Sequence, residues 1–203
     1  MRLFIFLVAA PVLAQSLTVG VKGGLRLTSA QTGYGTAESK PYRVGPAVEV
    51  GLPFGFALEA DALYSRLGYT TFYAHIGIYE FDRARADAWE FPILAKYRAP
   101  VPRLHPAVFF GMAPRHASGR VDVTGVWFGA PYANTQHWRA KDHAWIVGGG
   151  FDLGVGHLRL SPEARYLHWK VPSYPAAGNI AFYMALPENE VQLLVGIGWR
   201  VKR

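Results

Sequence analysis

Leu17-Thr18-Val19-Gly20-Val21-Lys22-Gly23-Gly24-Leu25-Arg26-Leu27-Thr28 is the stretch whose reading decides the fold. Every second residue is apolar or glycine, and the residues between are polar, charged or small. Side chains of an extended chain alternate between its two faces, so a period of two held this long predicts a strand with one apolar face. The chain ends on the same pattern, with Val191, Leu193, Val195, Ile197, Trp199 and Val201 set against Gln192, Leu194, Gly196, Gly198 and Arg200. Six further strands are predicted between these ends, near 43–51, 56–69, 89–98, 105–115, 143–154 and 157–169. That makes about eight in all.

The connections alternate as well. Residues 52–55, 99–103 and 154–157 are short and rich in Gly and Pro, the residues that turns require. Residues 29–42, 70–88, 116–142 and 170–189 are long and polar or mixed, and are read as loops, the third the largest. Short and long in strict succession is what an antiparallel meander gives when all long loops leave at one end. Transmembrane barrels of bacterial outer membranes have this asymmetry.

Composition narrows the classes. The chain has 203 residues, 51% apolar, 14% aromatic and only 17% charged, with 22 Gly and no Cys. The length suits one domain. The aromatic content excludes disorder, and the absence of Cys excludes disulfides, zinc-thiolate sites and a cysteine nucleophile. A formal charge of +7 is modest and scattered along strands, with no basic nucleic-acid patch, phosphate loop or dinucleotide fingerprint.

The N-terminus reads as a secretory signal peptide over 1–14: Arg2, an apolar run from Leu3 to Leu13, then small Val12 and Ala14 at −3 and −1 before Gln15. The mature domain is then 15–203. No later stretch approaches 18 unbroken apolar residues, so no membrane helix is expected.

Alternation alone does not say which face points outward. A lipocalin-like soluble barrel is also exported and eight-stranded, but keeps its apolar face inside. The inverted, transmembrane arrangement is favoured because the apolar faces carry almost no charge and 17% charge is too little for a soluble exterior. Aromatic residues also mark the ends of those faces, in two girdles formed by Phe56, Tyr64, Trp89, Tyr97, Trp145, Tyr166 and Trp199. From Trp89 to Tyr97 is roughly 26 Å along a strand. Tilted by about 40°, that spans roughly 20 Å, near the ~25 Å apolar band of an outer membrane.

A weak repeat supports the strand map. Val44-Gly-Pro-Ala-Val-Glu-Val-Gly51 resembles Val147-Gly-Gly-Gly-Phe-Asp-Leu-Gly154, and Asp61 and Tyr64 in the following strand match Glu163 and Tyr166. Two such hairpins would face one another across an eight-stranded barrel. The signal, Lys22-Gly23-Gly24, the run Ser161-Pro162-Glu163-Ala164-Arg165-Tyr166 and the strand from Leu193 to Trp199 resemble the bacterial outer-membrane protein β-barrel domain family, with its OmpA- or OmpX-like eight-stranded barrels and the PorT-like proteins. The resemblance implies outer-membrane lipid as the surroundings and the barrel-assembly machinery as a biogenesis partner. Such chains usually finish on an aromatic residue, whereas here Arg200-Val201-Lys202-Arg203 follow Trp199.

At inward phase lie Lys22, Arg26, Lys96, Arg98, Arg159, Arg165 and Arg200, together with Glu49, Glu59, Asp61, Glu90, Asp152 and Glu163. Charges removed from water persist only when paired, so these are expected to form an ion-pair network filling the lumen. Eight strands leave room for little else.

A lipid A deacylase would need His and Ser two apart on a lipid-facing strand with a carboxylate near; His116-Ala117-Ser118 has the spacing but no family motif around it. His116, His137, His143 and Asp142 could gather at the outer mouth as a metal site, although scattered loop histidines are usually solvated. The expectation is an all-β, eight-stranded, antiparallel up-and-down transmembrane β-barrel. It is expected to be a non-enzymatic monomer of the cell outer membrane, without cofactor or metal, acting structurally or through its external loops. A small pore, a lipid-modifying enzyme and a soluble lipocalin-like binding barrel are the alternatives.

Overall fold

Paired, the alternating segments close on themselves. The computed structural model describes residues 16–28, 35–101, 104–170 and 187–202. The expected signal peptide and its cleavage site before Gln15 lie outside these residues, as do parts of the first and fourth long connections. The strands are β1 (Ser16–Arg26), β2 (Gly35–Ala37), β3 (Tyr42–Gly51), β4 (Phe56–Asp61), β5 (Leu63–His75), β6 (Ile78–Glu90), β7 (Ile93–Arg98), β8 (His105–Trp127), β9 (Ala130–Val155), β10 (Leu158–Trp169) and β11 (Asn189–Lys202). Every pairing is antiparallel. The first strand pairs on one edge with β3 and on the other with β11, which closes the ring: Val19 lies opposite both Val48 and Trp199.

Apart from the three-residue β2, which adds to the edge of β5, ten strands form that ring rather than the eight expected. The reason is proline. At Ala62, between β4 and β5, and at Phe91-Pro92, between β6 and β7, the ladder lapses for one or two residues. Pro46, Pro92 and Pro114 have no N–H to give it. The register does not shift across the gaps. Ala60 faces Ile93 on one side of the break and Leu63 faces Glu90 on the other, and Ala62 N–H still donates to the Pro46 carbonyl at 3.0 Å. The ten strands therefore run as eight continuous staves.

Burial follows the period of two, with the apolar side outward. Val21, Ile93, Val108 and Ile197 are between 54% and 62% exposed, while Lys22, Glu59, Lys96 and Gln192 on the alternate phase are nearly inaccessible. A belt of exposed Val, Leu, Ile and Phe around a whole ring is stable only in an apolar solvent. Small residues keep the interior narrow, as with Gly196 and Gly198, whose missing side chains leave space for Lys22 and Thr18.

The second and third long connections differ from expectation. Residues 70–88 and 116–142 are not loops but continuations of the staves into two long hairpins. β5 pairs with β6 up to His75 and Ile78, and β8 with β9 up to Trp127 and Ala130. β6 also pairs with β8 from Glu90 and Arg115 up to Ile78 and Trp127, so the hairpins form one sheet standing above the ring. From His116 to Trp127 it rises roughly 36 Å along the strand. At its tip the turn takes Phe128 (φ 46°) and Gly129 (φ 86°) through the left-handed region. Glycine is at home there and phenylalanine is strained. Phe128 N–H donates to the Gly77 carbonyl at 2.7 Å, tying the two tips together.

Candidate functional site

Two sites emerge, the lumen and the outward face of the standing sheet. In the lumen, inward phase brings charges from far apart in sequence within contact. At mid-height, Arg165 on β10 donates to Asp61 at 2.8 Å, to Glu163 at 2.8 Å and to Glu59 at 3.0 Å. Lys22 on β1 donates to Glu59 and to Glu163 at 2.9 Å, and Lys96 on β7 reaches the same two carboxylates at 2.7 and 2.9 Å. Toward the short turns, Glu49 accepts from Arg98 and Arg159, and Asp152 accepts from Arg98 and from Ser161, the latter at 2.6 Å. Lys96 lies 3.6 Å from Glu49 and joins the two layers. Five cations here meet five carboxylates.

The repeat noted in the sequence has a geometric counterpart. β4 and β10 belong to staves on opposite walls, and Arg165 crosses the interior to Glu59 and Asp61. At this level hydrogen-bonded charges bridge the interior from wall to wall.

A second charged layer lies toward the long hairpins. Arg43 bridges Glu90 and Glu190, while Arg115 donates to Asp142 at 2.9 Å and lies 3.8 Å from Glu90. The Arg115 guanidinium stacks on the Trp169 ring at 3.4 Å. Between the two charged layers Leu94, Phe109, Ala113, Ala144, Ile146, Leu167 and Trp169 form an apolar layer, so the lumen filling is not purely ionic.

Arg43, Arg115 and Glu190 were not expected in the lumen from the sequence, and Asp142 was expected at a metal site instead. All four sit at the long-loop ends of strands, Arg43 on the phase of Glu49, Asp142 on that of Asp152 and Glu190 on that of Gln192, while Arg115 shares the inward phase of β8 with Phe109. Arg43 and Arg115 are end residues of the strands expected at 43–51 and 105–115, and carrying the alternation one step further finds Asp142 and Glu190. Two expected members need correction. Arg26 is buried and Arg200 half-buried, but neither makes an ion pair within 4 Å among the described residues. Arg26 lies at the upper end of β1 and Arg200 at the turn end, where its N–H donates to the His157 carbonyl at 2.8 Å.

The aromatic residues lie on the outward phase at two levels. Tyr64 packs on Trp89 with centroids 5.4 Å apart, and Trp145 stacks on Phe110 at 5.8 Å. Tyr166 completes this upper level, its hydroxyl donating to Asn189 at 2.7 Å. Near the short turns Phe56 packs on Tyr97 at 5.2 Å and Trp199 stacks on His157 at 5.2 Å.

His116 and Ser118 share the outward face of β8, with Asp87 opposite Ser118. No hydrogen bond joins the three: Asp87 accepts from the Tyr64 hydroxyl and lies 3.6 Å from Arg66, and His116 packs edge-on against Phe91. The four-residue metal grouping does not assemble, since Asp142 points inward to Arg115 while His116, His137 and His143 are exposed on the other face. Among the described residues no cluster of three metal-ligating side chains occurs.

Above Trp89 the outward face of the standing sheet carries cations. Arg66, Asp87, Ser118 and Arg139 form one row across four strands, Gly68, Arg85, Arg120 and His137 the next, and Thr70, Arg83, Asp122 and Thr135 a third. Higher still, Phe72, Tyr79, Phe81, Trp127 and Phe128 are exposed.

With this geometry in place, three comparisons bear on the chain. The family model for the outer membrane protein beta-barrel domain matches residues 2–199. No curated protein matches the sequence. Among solved structures, the fold is similar to the N-terminal β-barrel domain of Pseudomonas aeruginosa OprF, with TM-score 0.50 and 13% identity over 93% of this chain and 98% of that one. It is similar to Neisserial surface protein A (NspA), with TM-score 0.50 and 13% identity over 94% and 98% of the two chains. A major outer membrane protein from Thermus thermophilus gives TM-score 0.52 and 12% identity over 92% and 99%. At these identities the likeness is one of fold.

Proposed function

The chain belongs to the outer membrane protein beta-barrel domain family, and on that premise we propose that it is a non-enzymatic, monomeric barrel with a sealed lumen, acting structurally and through its external hairpins. The single observation that carries this reading is the wall-to-wall bridge of Arg165, Lys22 and Lys96 to Glu59, Asp61 and Glu163. Buried charges that satisfy one another act as a plug. The same plug removes the reason to look for a substrate path through the barrel.

The interaction role rests on the standing sheet. Its two hairpins are paired along their whole length and joined at the tips, so they present a fixed surface rather than mobile loops. Exposed aromatic residues at the tip, Phe128 at 69% and Trp127 at 56%, are the kind that anchor protein contacts. Export would proceed through the signal peptide over 1–14, and insertion through the barrel-assembly machinery.

Cell fractionation with gel electrophoresis of unheated and heated samples tests the reading. The mature chain is expected in the outer membrane, beginning at Gln15 and changing mobility on heating, with lipid masses unaltered by overexpression. A soluble periplasmic product, or a new lipid species, would contradict it.

A further inference from the structure

The outward face of the standing sheet places its charges in a way the barrel itself does not explain. Arg85 lies directly opposite Arg120, and Arg120 directly opposite His137, on three adjacent strands. Like charges facing one another across strands, as Arg85 and Arg120 do, destabilise a sheet. One row below, Arg139 stands opposite Ser118, and below that Lys141 stands opposite His116. Arg85, Arg139 and Lys141 are exposed and make no ion pair among the described residues. The acids present are engaged by other arginines, Asp87 by Arg66, Glu38 by Arg83 and Asp122 by Arg120.

Beside these rows lies a cleft of about 750 Å³ between residues 38–40 and the sheet, whose lining includes Lys40, Arg66, Arg83, Arg85 and Arg120 together with Glu38 and Asp87, both held by arginines. Its height is informative. The row of Arg66 and Arg139 lies roughly 5 Å above Trp89, and the row of Arg85 and Arg120 roughly 10 Å above it, taking about 3.3 Å per residue and a tilt of about 40°. A headgroup layer adds roughly 5–8 Å to each side of the hydrocarbon core. The lower row lies within that layer and the row of Arg85 and Arg120 just above its outer edge, so a headgroup anion reaching up between them would neutralise Arg85 and Arg139, which have no ion-pair partner among the described residues.

We propose that this cleft and the rows beside it bind the phosphate-bearing headgroup of an anionic lipid in the outer leaflet. The inference rests on the membrane-spanning reading above. A phosphate between Arg85, Arg120 and Arg139 accepts from several guanidinium forks at once and removes the repulsion that the bare sheet carries.

The test uses the full mature chain refolded into nanodiscs of phosphatidylcholine alone or mixed with phosphatidylglycerol, with retained lipid counted by native mass spectrometry. Wild type is expected to retain phosphatidylglycerol at least tenfold over phosphatidylcholine, and to do so in the presence of millimolar inorganic phosphate. The triple variant Arg85→Ser, Arg120→Ser, Arg139→Ser is expected to lose that preference, and the corresponding triple Lys variant to keep most of it. The single variant Arg85→Glu should weaken it, which gives a second reading if the triple variant folds poorly. Equal retention of both lipids by wild type would overturn the proposal, as would an unchanged preference in a folded Ser variant. Binding of soluble heparin that is lost in the Ser variant, without lipid preference, would overturn it in favour of a free polyanion. Failure of wild type to enter either nanodisc would instead contradict the barrel reading on which it rests.

Discussion

Arg165 and Arg83 are both arginines on strands of one ring, each held to carboxylates from other parts of the chain, but their surroundings differ completely. Arg165 is wholly buried among Asp61, Glu59 and Glu163, whereas Arg83 is 43% exposed beside a Glu38 that is 37% exposed. In the lumen a charge removed from water must find its partners in the protein, so five cations and five carboxylates there are paired with one another. Outside, water and salt do the same work, and single cations can stand unpaired. The period of two builds both regions. What lies beyond each face decides what a charge there is worth.

The strongest way to break this comparison is to remove one member of the buried set. Arg165→Ala leaves Asp61 with only Lys22, at 3.7 Å, and is expected to lower stability by about 3–5 kcal/mol in urea unfolding from lipid vesicles. A cost near that of a surface pair would mean that water fills the lumen.

The lipid face gives the next largest effect. Val195→Arg places a charge on the outward phase of β11, where Val195 is 46% exposed to the surroundings of the belt. It is expected to cost about 2–4 kcal/mol near the bilayer midplane. Gly196→Ala, one residue on and facing the lumen, would bring a methyl to 3.3 Å from the Lys22 side chain and should cost less, about 1 kcal/mol. Equal losses would overturn the assignment of inside and outside.

Arg83→Ala should cost about 1 kcal/mol or less by the same unfolding assay, because its ion pair is exposed and screened. A loss comparable with that of Arg165→Ala would erase the distinction between the two regions.

The smallest effect is a local pH response in the standing sheet. Partial burial and the neighbouring Glu80, itself bonded to the Tyr132 hydroxyl, push Asp82 up to about 6. A carboxyl raised on folding favours the folded form while it is protonated, so its contribution is full below about 4 and is lost as pH rises through about 6. Hydrogen exchange of β6, corrected for its intrinsic pH dependence, should show protection near Asp82 falling over that interval. Asp82→Asn should abolish the trend, and a trend of opposite sign would contradict the assignment.

Much of the barrel was legible because a stave between lipid and lumen has two unlike surroundings, and β1 and β11 record both. Above Trp89 that contrast ends. Residues 116–142 carry Arg, Asp, Thr, Asn and Gln on a wet face and lose apolar alternation, although every backbone pair from His116 to Trp127 is made. A fainter period of two remained in Ala84, Ala86 and Ala88, which pack with Leu67, Tyr69 and Val121 on the inner face of the hairpins. The lumen was legible where charges alternate with Val or Leu, as around Glu49 and Lys22. It was missed where strands were taken too short, as at Asp142 and Glu190, and where both phases are apolar, as at Val108-Phe109-Phe110. The gaps at Ala62 and Pro92 could not be anticipated as register-neutral, because a proline signals a missing donor and says nothing of the pairing beyond it.

Single-channel recording of the purified wild-type protein in planar bilayers tests the sealed lumen most directly. The ion-paired and apolar layers inside the ring imply insertion without steady openings, with leak appearing only when Arg165 is replaced by Ala. Steady openings of porin size in the wild type would contradict the filled interior.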